Sequence, residues 1–386
     1  MIMPKVQEIL ERYSMAERAA QYLLFDPNEQ LRNTTVLNVN KTYYYPNYRS
    51  VPGFFRIQNR RYLGNKYKLT AFISDILKEK CESMKSLCDI FAGTGVVGNY
   101  FNKKNVRIIS NDFLYSNYVA LRTFMGSTKI DFDKLKEKIA LLNSLNSTKD
   151  NYFSLNFGDT YFTLENARKI GMIREKIEEI YVNDDEKLAL ITSLIYAVDK
   201  VANTVGHYDA FRKKLDTVNP LVLSLPIIKL ENNFNNEIYC EDANQLVQKI
   251  TCDVLYIDPP YNSRQYCDVY HLLENLARWD KPEVYGVAKK MNRGHLKSDY
   301  CLKSATRAFT ELIHHAQCKH ILVSYNNTGE SKDGRSNARI KDSEIVSILK
   351  RKGDLQIFER DYKAFTTGKS NGGGHTERVF YCNVSN

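Results

Sequence analysis

Apolar side chains recur at helical spacing over residues 6–24, at Val6, Ile9, Leu10, Tyr13, Ala16, Ala20 and Leu23, and the stripe ends at Asp26-Pro27-Asn28. Residues 33–59 carry no such period. They are rich in Asn, Tyr and Arg, include Tyr43-Tyr44-Tyr45, Pro46 and Pro52, and read as an extended arm with little regular structure. An alternation follows: a helix over about 66–80, an apolar strand over 87–91, a glycine turn opening a helix over 96–102, and a strand over 106–110. Strand, glycine turn, helix and strand in that order predict a parallel α/β sheet.

From about 113 to 237 the strands stop. Helical patterns cover 132–145 and 186–202, and a loop covers 203–214. Strands return at 237–240, 252–257, 319–325, 355–365 and 378–384, with helices over 268–279, 304–316 and 343–351. Residues 369–375, with Gly372-Gly373-Gly374, read as the connection between the last two strands. The pattern predicts one α/β domain interrupted by an insertion of about 120 residues, a size suited to a domain.

Composition narrows the class. Of 386 residues, 43% are hydrophobic and 26% charged, which excludes a disordered or collagen-like chain. The longest apolar run, 221–230, is broken by Ser224, Pro226 and Lys229, too short to span a bilayer. The first residues lack the pattern of a secretory signal. Eight cysteines form no CxxC pair and read as buried reduced thiols. A soluble, cytoplasmic protein without a membrane partner is expected. The formal net charge of +10, and 26 Tyr and 18 Phe against one Trp, favour a polyanion carrying aromatic bases.

Two motifs carry chemistry. In Asp89-Ile90-Phe91-Ala92-Gly93-Thr94-Gly95-Val96-Val97-Gly98, the spacing Gly93-x-Gly95-x-x-Gly98 matches a nucleotide-binding fingerprint, and Asp112 ends the next strand. Glycines permit a tight turn and close backbone approach, and the acid suits ribose hydroxyls. The fingerprint alone leaves a nicotinamide dinucleotide and S-adenosylmethionine both open. The second motif is an apolar strand running into Asp258-Pro259-Pro260-Tyr261. Two prolines hold the backbone extended and remove two donors. Asp258 and the Pro259 carbonyl then suit the two hydrogens of a ring-bound amino group, with Tyr261 stacking on the ring. The ordinary alternative, a turn capped by Asp258, leaves the neighbouring glycine turn unexplained. Together the motifs point to an amino-methyltransferase.

The sequence here resembles the Dam-type (α-group) adenine-N(6) DNA methyltransferases, of the kind found in type II restriction–modification systems. Arg61-Tyr62-Leu63-Gly64-Asn65-Lys66 looks like the family's N-terminal cofactor motif, and Asp242 sits where the family places an acid for the cofactor's adenine. The resemblance implies a class I S-adenosylmethionine-dependent fold, Rossmann-like and mostly parallel with an antiparallel last strand, carrying a largely helical target-recognition insertion. The implied division is 1–55 as helix and arm, 56–114 as the first part of the catalytic domain, 115–236 as the insertion and 237–386 as the second part. It implies Asp258, Pro259, Pro260 and Tyr261 as catalytic residues, and Tyr62, Lys66, Asp89, Phe91, Gly93, Gly95, Asp112 and Asp242 as cofactor-binding residues. The expected activity is methylation of a flipped adenine in double-stranded DNA. A cognate restriction endonuclease is expected at the system level, without stable contact.

Contacts with DNA rest on weaker patterns. Asn203-Thr204-Val205-Gly206-His207-Tyr208 echoes a family loop near the DNA, which proposes His207 and Tyr208. Arg212 and Lys213 open a basic run suited to phosphates, and Arg264 and Tyr266 follow the Asp-Pro-Pro-Tyr turn. Solvated loop residues are the bland alternative for each. His314, His315 and His320 lack metal-ligand spacing, so no metal is expected. An RNA-base or cytosine-amino methyltransferase, an NAD(P)-dependent oxidoreductase, and a DNA-binding protein with a decayed site remain as competing functions.

Overall fold

The computed structural model describes residues 35–38, 51–215, 219–325, 338–362 and 375–385. The helix expected over 6–24, Tyr43 to Tyr45 and the glycine connection over 369–374 lie outside the described residues. Eight strands share one sheet: β1 (Val36–Asn38), β2 (Ser86–Asp89), β3 (Arg107–Asn111), β4 (Glu237–Tyr239), β5 (Cys252–Ile257), β6 (Cys318–Ser324), β7 (Gly353–Tyr362) and β8 (His375–Val384). Their order is β1-β7-β8-β6-β5-β2-β3-β4. β8 is wedged antiparallel between β6 and β7, and every other pairing is parallel. The chain is thus a mixed α/β fold on a mostly parallel sheet.

Burial alternates along the central strands. Leu87, Val254 and Tyr256 join one apolar cluster, while Cys88, Leu255 and Ile257 join the other. That period of two is what a sheet covered on both faces requires. Helices α1 (Thr70–Lys80), α2 (Val96–Phe101) and α3 (Tyr115–Met125) cover the first face. α1 does so with Phe72, Ile73, Ile76 and Leu77, one stripe at helical spacing. Between β3 and β4 the chain continues into α4 (Phe132–Ser144), α5 (Tyr152–Phe157), α6 (Leu164–Ile180) and α7 (Asp184–Val201), whose apolar sides extend the same cluster. After β4 come α8 (Ala243–Leu246), α9 (Tyr266–Val269), α10 (His271–Arg278), α11 (Ala305–His315) and α12 (Asp342–Lys350). Of these, α8, α11 and α12 cover the second face.

The arm over 33–59, expected to be extended with little regular structure, carries three short elements among its described residues. β1 pairs with β7 and forms an edge of the sheet, Phe54–Phe55 pairs with Leu225–Pro226, and Ile57–Asn59 forms a 3-10 turn. Phe55 and Ile57 are buried and anchor the stretch, whereas Val36, Leu37, Val51 and Phe54 stay exposed. α3, α5 and α6 form where the sequence pattern predicts no helix. In α6 a stripe of Ala167, Ile170, Ile173 and Ile177 was there to be found behind its N-cap, Thr163. Charged residues between those positions mask it. All eight cysteines are free thiols. No helix among the described residues is long and apolar enough to cross a membrane.

Candidate active site

β2 and β5 lie side by side, with Asp89 opposite Tyr256, yet the chain leaves β2 towards β3 and leaves β5 towards β6, in opposite directions. Where winding reverses, the C-terminal strand ends part and leave a crevice. A cleft opens at this point, with about 930 Å³ of empty space when the solvent at its mouth is counted. Its lining includes Tyr62, Lys66, Asp89, Phe91, Gly93, Asp112, Asp242, Asp258, Pro260 and Tyr266. Residues separated widely in sequence meet there because both motifs end neighbouring strands.

The glycine turn divides its labour. Gly93 (φ +53°) and Gly95 (φ +78°) both adopt the left-handed region that a side chain resists. Gly93 faces the cleft, and a Cβ there would stand 3.0 Å from the Tyr62 ring. Gly95 does not line the cleft. A Cβ on it would come within 2.4 Å of Leu121 Cδ2, so this glycine serves the packing of α3 against the turn. Asp112 ties the turn from below. Its Oδ2 accepts the Gly93 N–H at 2.9 Å, and its Oδ1 accepts the Leu114 N–H at 2.9 Å and Asn117 Nδ2 at 3.0 Å. Burial pushes its pKa up to about 6 despite those donors.

Tyr62 stacks on Tyr270 with centroids 4.5 Å apart and planes 5° from parallel. Lys66 extends from the same loop, is largely buried, and places Nζ 3.2 Å from Asp258 Oδ1. Burial drives the Asp258 pKa up to about 6, with Lys66 pulling it down and Glu377 adding to the rise. Asp89 is more deeply buried and is pushed up to about 8, first by burial and then by the Asp258 charge. Its Oδ2 accepts the Gly98 N–H at 3.3 Å, while Oδ1 is buried without a hydrogen-bond partner. Asp242 lines the cleft and caps α8, its Oδ1 accepting the N–H groups of Asn244 and Gln245.

After β5, Pro259 is buried and Pro260 faces the cleft. The Tyr261 carbonyl accepts the Arg339 N–H at 2.8 Å and the Tyr325 hydroxyl at 3.2 Å. Its ring meets Tyr325 edge-on, centroids 6.4 Å apart. The Asp-Pro-Pro-Tyr turn is therefore fastened by the segment that follows β6.

The residues expected at DNA separate into two groups. His207 is half-buried beside Arg264, and burial and that guanidinium lower its pKa. Arg212, Lys213 and Arg264 are exposed. Tyr208 is the correction: it is 2% exposed, and its hydroxyl donates to Asp199 Oδ1 at 2.6 Å, so its ring cannot meet a nucleic acid. Tyr266 also differs, because it lines the cleft, packs 5.5 Å from the Tyr62 ring and donates to the Leu63 carbonyl at 3.2 Å. Sequence reasoning missed Arg60, Asn117, Asp199, Tyr270 and Glu377. Arg60 stands one residue ahead of the recognised motif, but nothing local marks the others.

Comparisons with known proteins place the sequence among DNA methyltransferases. The model of the D12 class N6 adenine-specific DNA methyltransferases matches residues 62–330. The chain is 35% identical over 347 residues to the type II methyltransferase M.FokI of Planomicrobium okeanokoites, covering 83% of this chain and 52% of that protein. It is 37% identical over 310 residues to the modification methylase StsI of Streptococcus sanguinis, covering 75% and 46%. It thus spans about half the length of both relatives. With the type II methyltransferase M.NlaIII of Neisseria lactamica the identity is 33% over 328 residues, covering 81% of this chain and 95% of that protein. On the family match and on these identities, the chain belongs to the D12 class N6 adenine-specific DNA methyltransferases.

Proposed function

We propose that the protein methylates the 6-amino group of an adenine flipped out of specific double-stranded DNA, as the modification enzyme of a restriction–modification system. The carrying observation is that Asp258 and the Gly93 turn, from two neighbouring strands, open into one cleft. The cofactor reading is S-adenosylmethionine in a class I fold. The cleft suits it: Gly93 leaves room that a Cβ would close, Asp89 Oδ1 awaits a partner, and Asp112 and Asp242 add carboxylates. Tyr62, Lys66, Phe91 and Gly93 would hold the group. When bound, it supplies a methyl carried on a sulfonium centre.

The protein's own residues then act on the base. Extrusion costs a few kcal/mol, which stacking on Tyr261 partly offsets. An aromatic amine is a weak nucleophile because its lone pair delocalises into the ring. Asp258 and the Pro259 carbonyl each accept one amino hydrogen, which draws the hydrogens out of plane and localises the lone pair. Asp258 needs no prior deprotonation of the amine; it receives the proton once the methylated nitrogen has become acidic. Lys66 keeps Asp258 oriented at its Oδ1. Positioning and preorganised charge supply the rate.

The order of parts supports the α-group subclass: cofactor motifs, then the 115–236 insertion as target-recognition region, then Asp-Pro-Pro-Tyr. His207, Arg212, Lys213 and Arg264 are the proposed DNA-facing residues, and double-stranded DNA is the proposed partner. The test is expression in a methylation-free host with single-molecule sequencing, alongside Asp258→Ala. Methyladenine at one short motif, absent in the variant, supports the reading. Unmodified DNA in cells containing soluble, cofactor-binding protein overturns it.

A further inference from the structure

The inward turn of Tyr208 starts a buried path that ends at the glycine turn. Its hydroxyl donates to Asp199 Oδ1 at 2.6 Å. Asp199, on α7, is 5% exposed, and its Oδ2 lies 3.4 Å from Arg60 Nε. Arg60, itself 3% exposed, donates from Nη1 to Asn117 Oδ1 at 2.9 Å. Its guanidinium carbon lies 5.6 Å from the Tyr62 ring centroid. Asn117 Nδ2 donates to the Tyr62 hydroxyl and to Asp112 Oδ1, each at 3.0 Å. Asp112 Oδ2 holds the Gly93 N–H. Every link is a polar contact between side chains, except the last, which reaches the backbone of the turn.

The path has a definite polarity. Arg60 compels Asn117 to present its oxygen, so the amide nitrogen must face Tyr62 and Asp112. A flipped amide would set two donors against a guanidinium. Buried so deeply, a guanidinium and a carboxylate are tolerated only together, and loss of either leaves the other uncompensated. The pair is also incomplete: Arg60 Nε and Nη2 and Asp199 Oδ2 make no hydrogen bond. Tyr208 holds Asp199 Oδ1 while Arg60 faces Oδ2, so the loop and the guanidinium share one carboxylate. The backbone of Tyr208 is gripped as well, its carbonyl accepting from the Tyr161 hydroxyl at 2.8 Å and lying 2.9 Å from His271 Nε2. The same loop carries the half-buried His207 and the exposed Arg212 and Lys213.

We propose that Arg60 and Asp199 are positioning residues that couple engagement of the 203–213 loop by DNA to the affinity of the cleft for its cofactor. The inference rests on the assignment of the two sites under the proposed function. Coupling of this kind is reciprocal: whatever DNA does to cofactor affinity, the cofactor does to DNA affinity.

The test measures binding of S-adenosylhomocysteine to the full chain by calorimetry, with and without a short duplex containing the sequence found methylated. In the wild-type chain the duplex should change affinity by at least about fivefold. Tyr208→Phe keeps the ring and removes the hydroxyl. It should bring that factor below about 2 while leaving affinity without DNA within about threefold. Arg60→Lys should restore part of the coupling that Arg60→Met loses. A Tyr208→Phe protein with a lowered melting midpoint but intact coupling would assign the path to stability alone and overturn the proposal. A wild-type chain that binds both ligands independently overturns it too. A chain that binds neither overturns the functional reading along with it.

Discussion

Lys66 Nζ lies 3.2 Å from Asp258 Oδ1, with the lysine side chain 9% exposed and the carboxylate 17%. One residue precedes α1 and the other directly follows β5, so the pair joins the two halves of the site. Burial alone would lower the Lys66 pKa, but Asp258, Glu377 and Tyr261 outweigh it and hold the ammonium charged. Asp258 is the group that titrates.

Asp258 must be ionised to accept hydrogens, and its pKa lies at about 6. Below that pH, kcat/KM should fall about tenfold per unit, with a plateau above it. Lys66→Met removes the charge that pulls Asp258 down, so the acid limb should move to higher pH. A pH–rate profile of both proteins checks this, and an unmoved limb would exclude Asp258 as the titrating group.

Asp258→Asn keeps the volume of the side chain and one acceptor oxygen but removes the charge. Loss of a preorganised electrostatic partner costs about 10²–10³ in rate in comparable sites. The deficit should appear in kcat in single-turnover assays, with cofactor affinity changed far less. A variant that retains wild-type kcat would remove Asp258 from the chemistry.

Asp89 should make stability pH-dependent. Its folded-state pKa of about 8 lies above the ordinary carboxylate value, so the fold disfavours the ionised form. The resulting cost begins above about pH 4, where the unfolded chain ionises, and is complete above about pH 8. Asp89→Asn retains an acceptor for the Gly98 N–H and escapes the cost. Its melting midpoint should gain on the wild type between pH 5 and pH 8, and an equal gap at both values would refute this.

Gly93→Ala and Gly95→Ala should fail differently. The Gly95 variant meets Leu121 Cδ2 at 2.4 Å in a left-handed backbone, which should cost about 2–4 kcal/mol of stability. The Gly93 variant shares the backbone strain, but its methyl stands 3.0 Å from Tyr62 and faces the cleft. It should therefore lose cofactor affinity out of proportion to its loss of stability. Melting curves paired with calorimetric titration separate the two.

The parts of the site visible in the sequence are those written by local backbone constraint. A strand that runs into two prolines, and glycines that must take positive φ, announce themselves within ten residues. β5, the glycine turn and Asp112 were legible for that reason, and the sheet followed from their alternation. β1 was not, because three residues hold no period, and its pairing with β7 is a contact with the far end of the chain.

Tyr208 and Gly95 show the other limit. Both sit in motifs that point to a ligand, yet Asp199 on α7 turns the first inward and Leu121 on α3 claims the second. By itself the sequence determined which chemistry the strand ends offer: a carboxylate before two prolines, glycines beside an acid. Only the tertiary structure decided which side chains reach the cleft and which brace it. Backbone conformation is set by neighbours in the chain, whereas the direction a loop side chain takes is set by what packs against it from elsewhere.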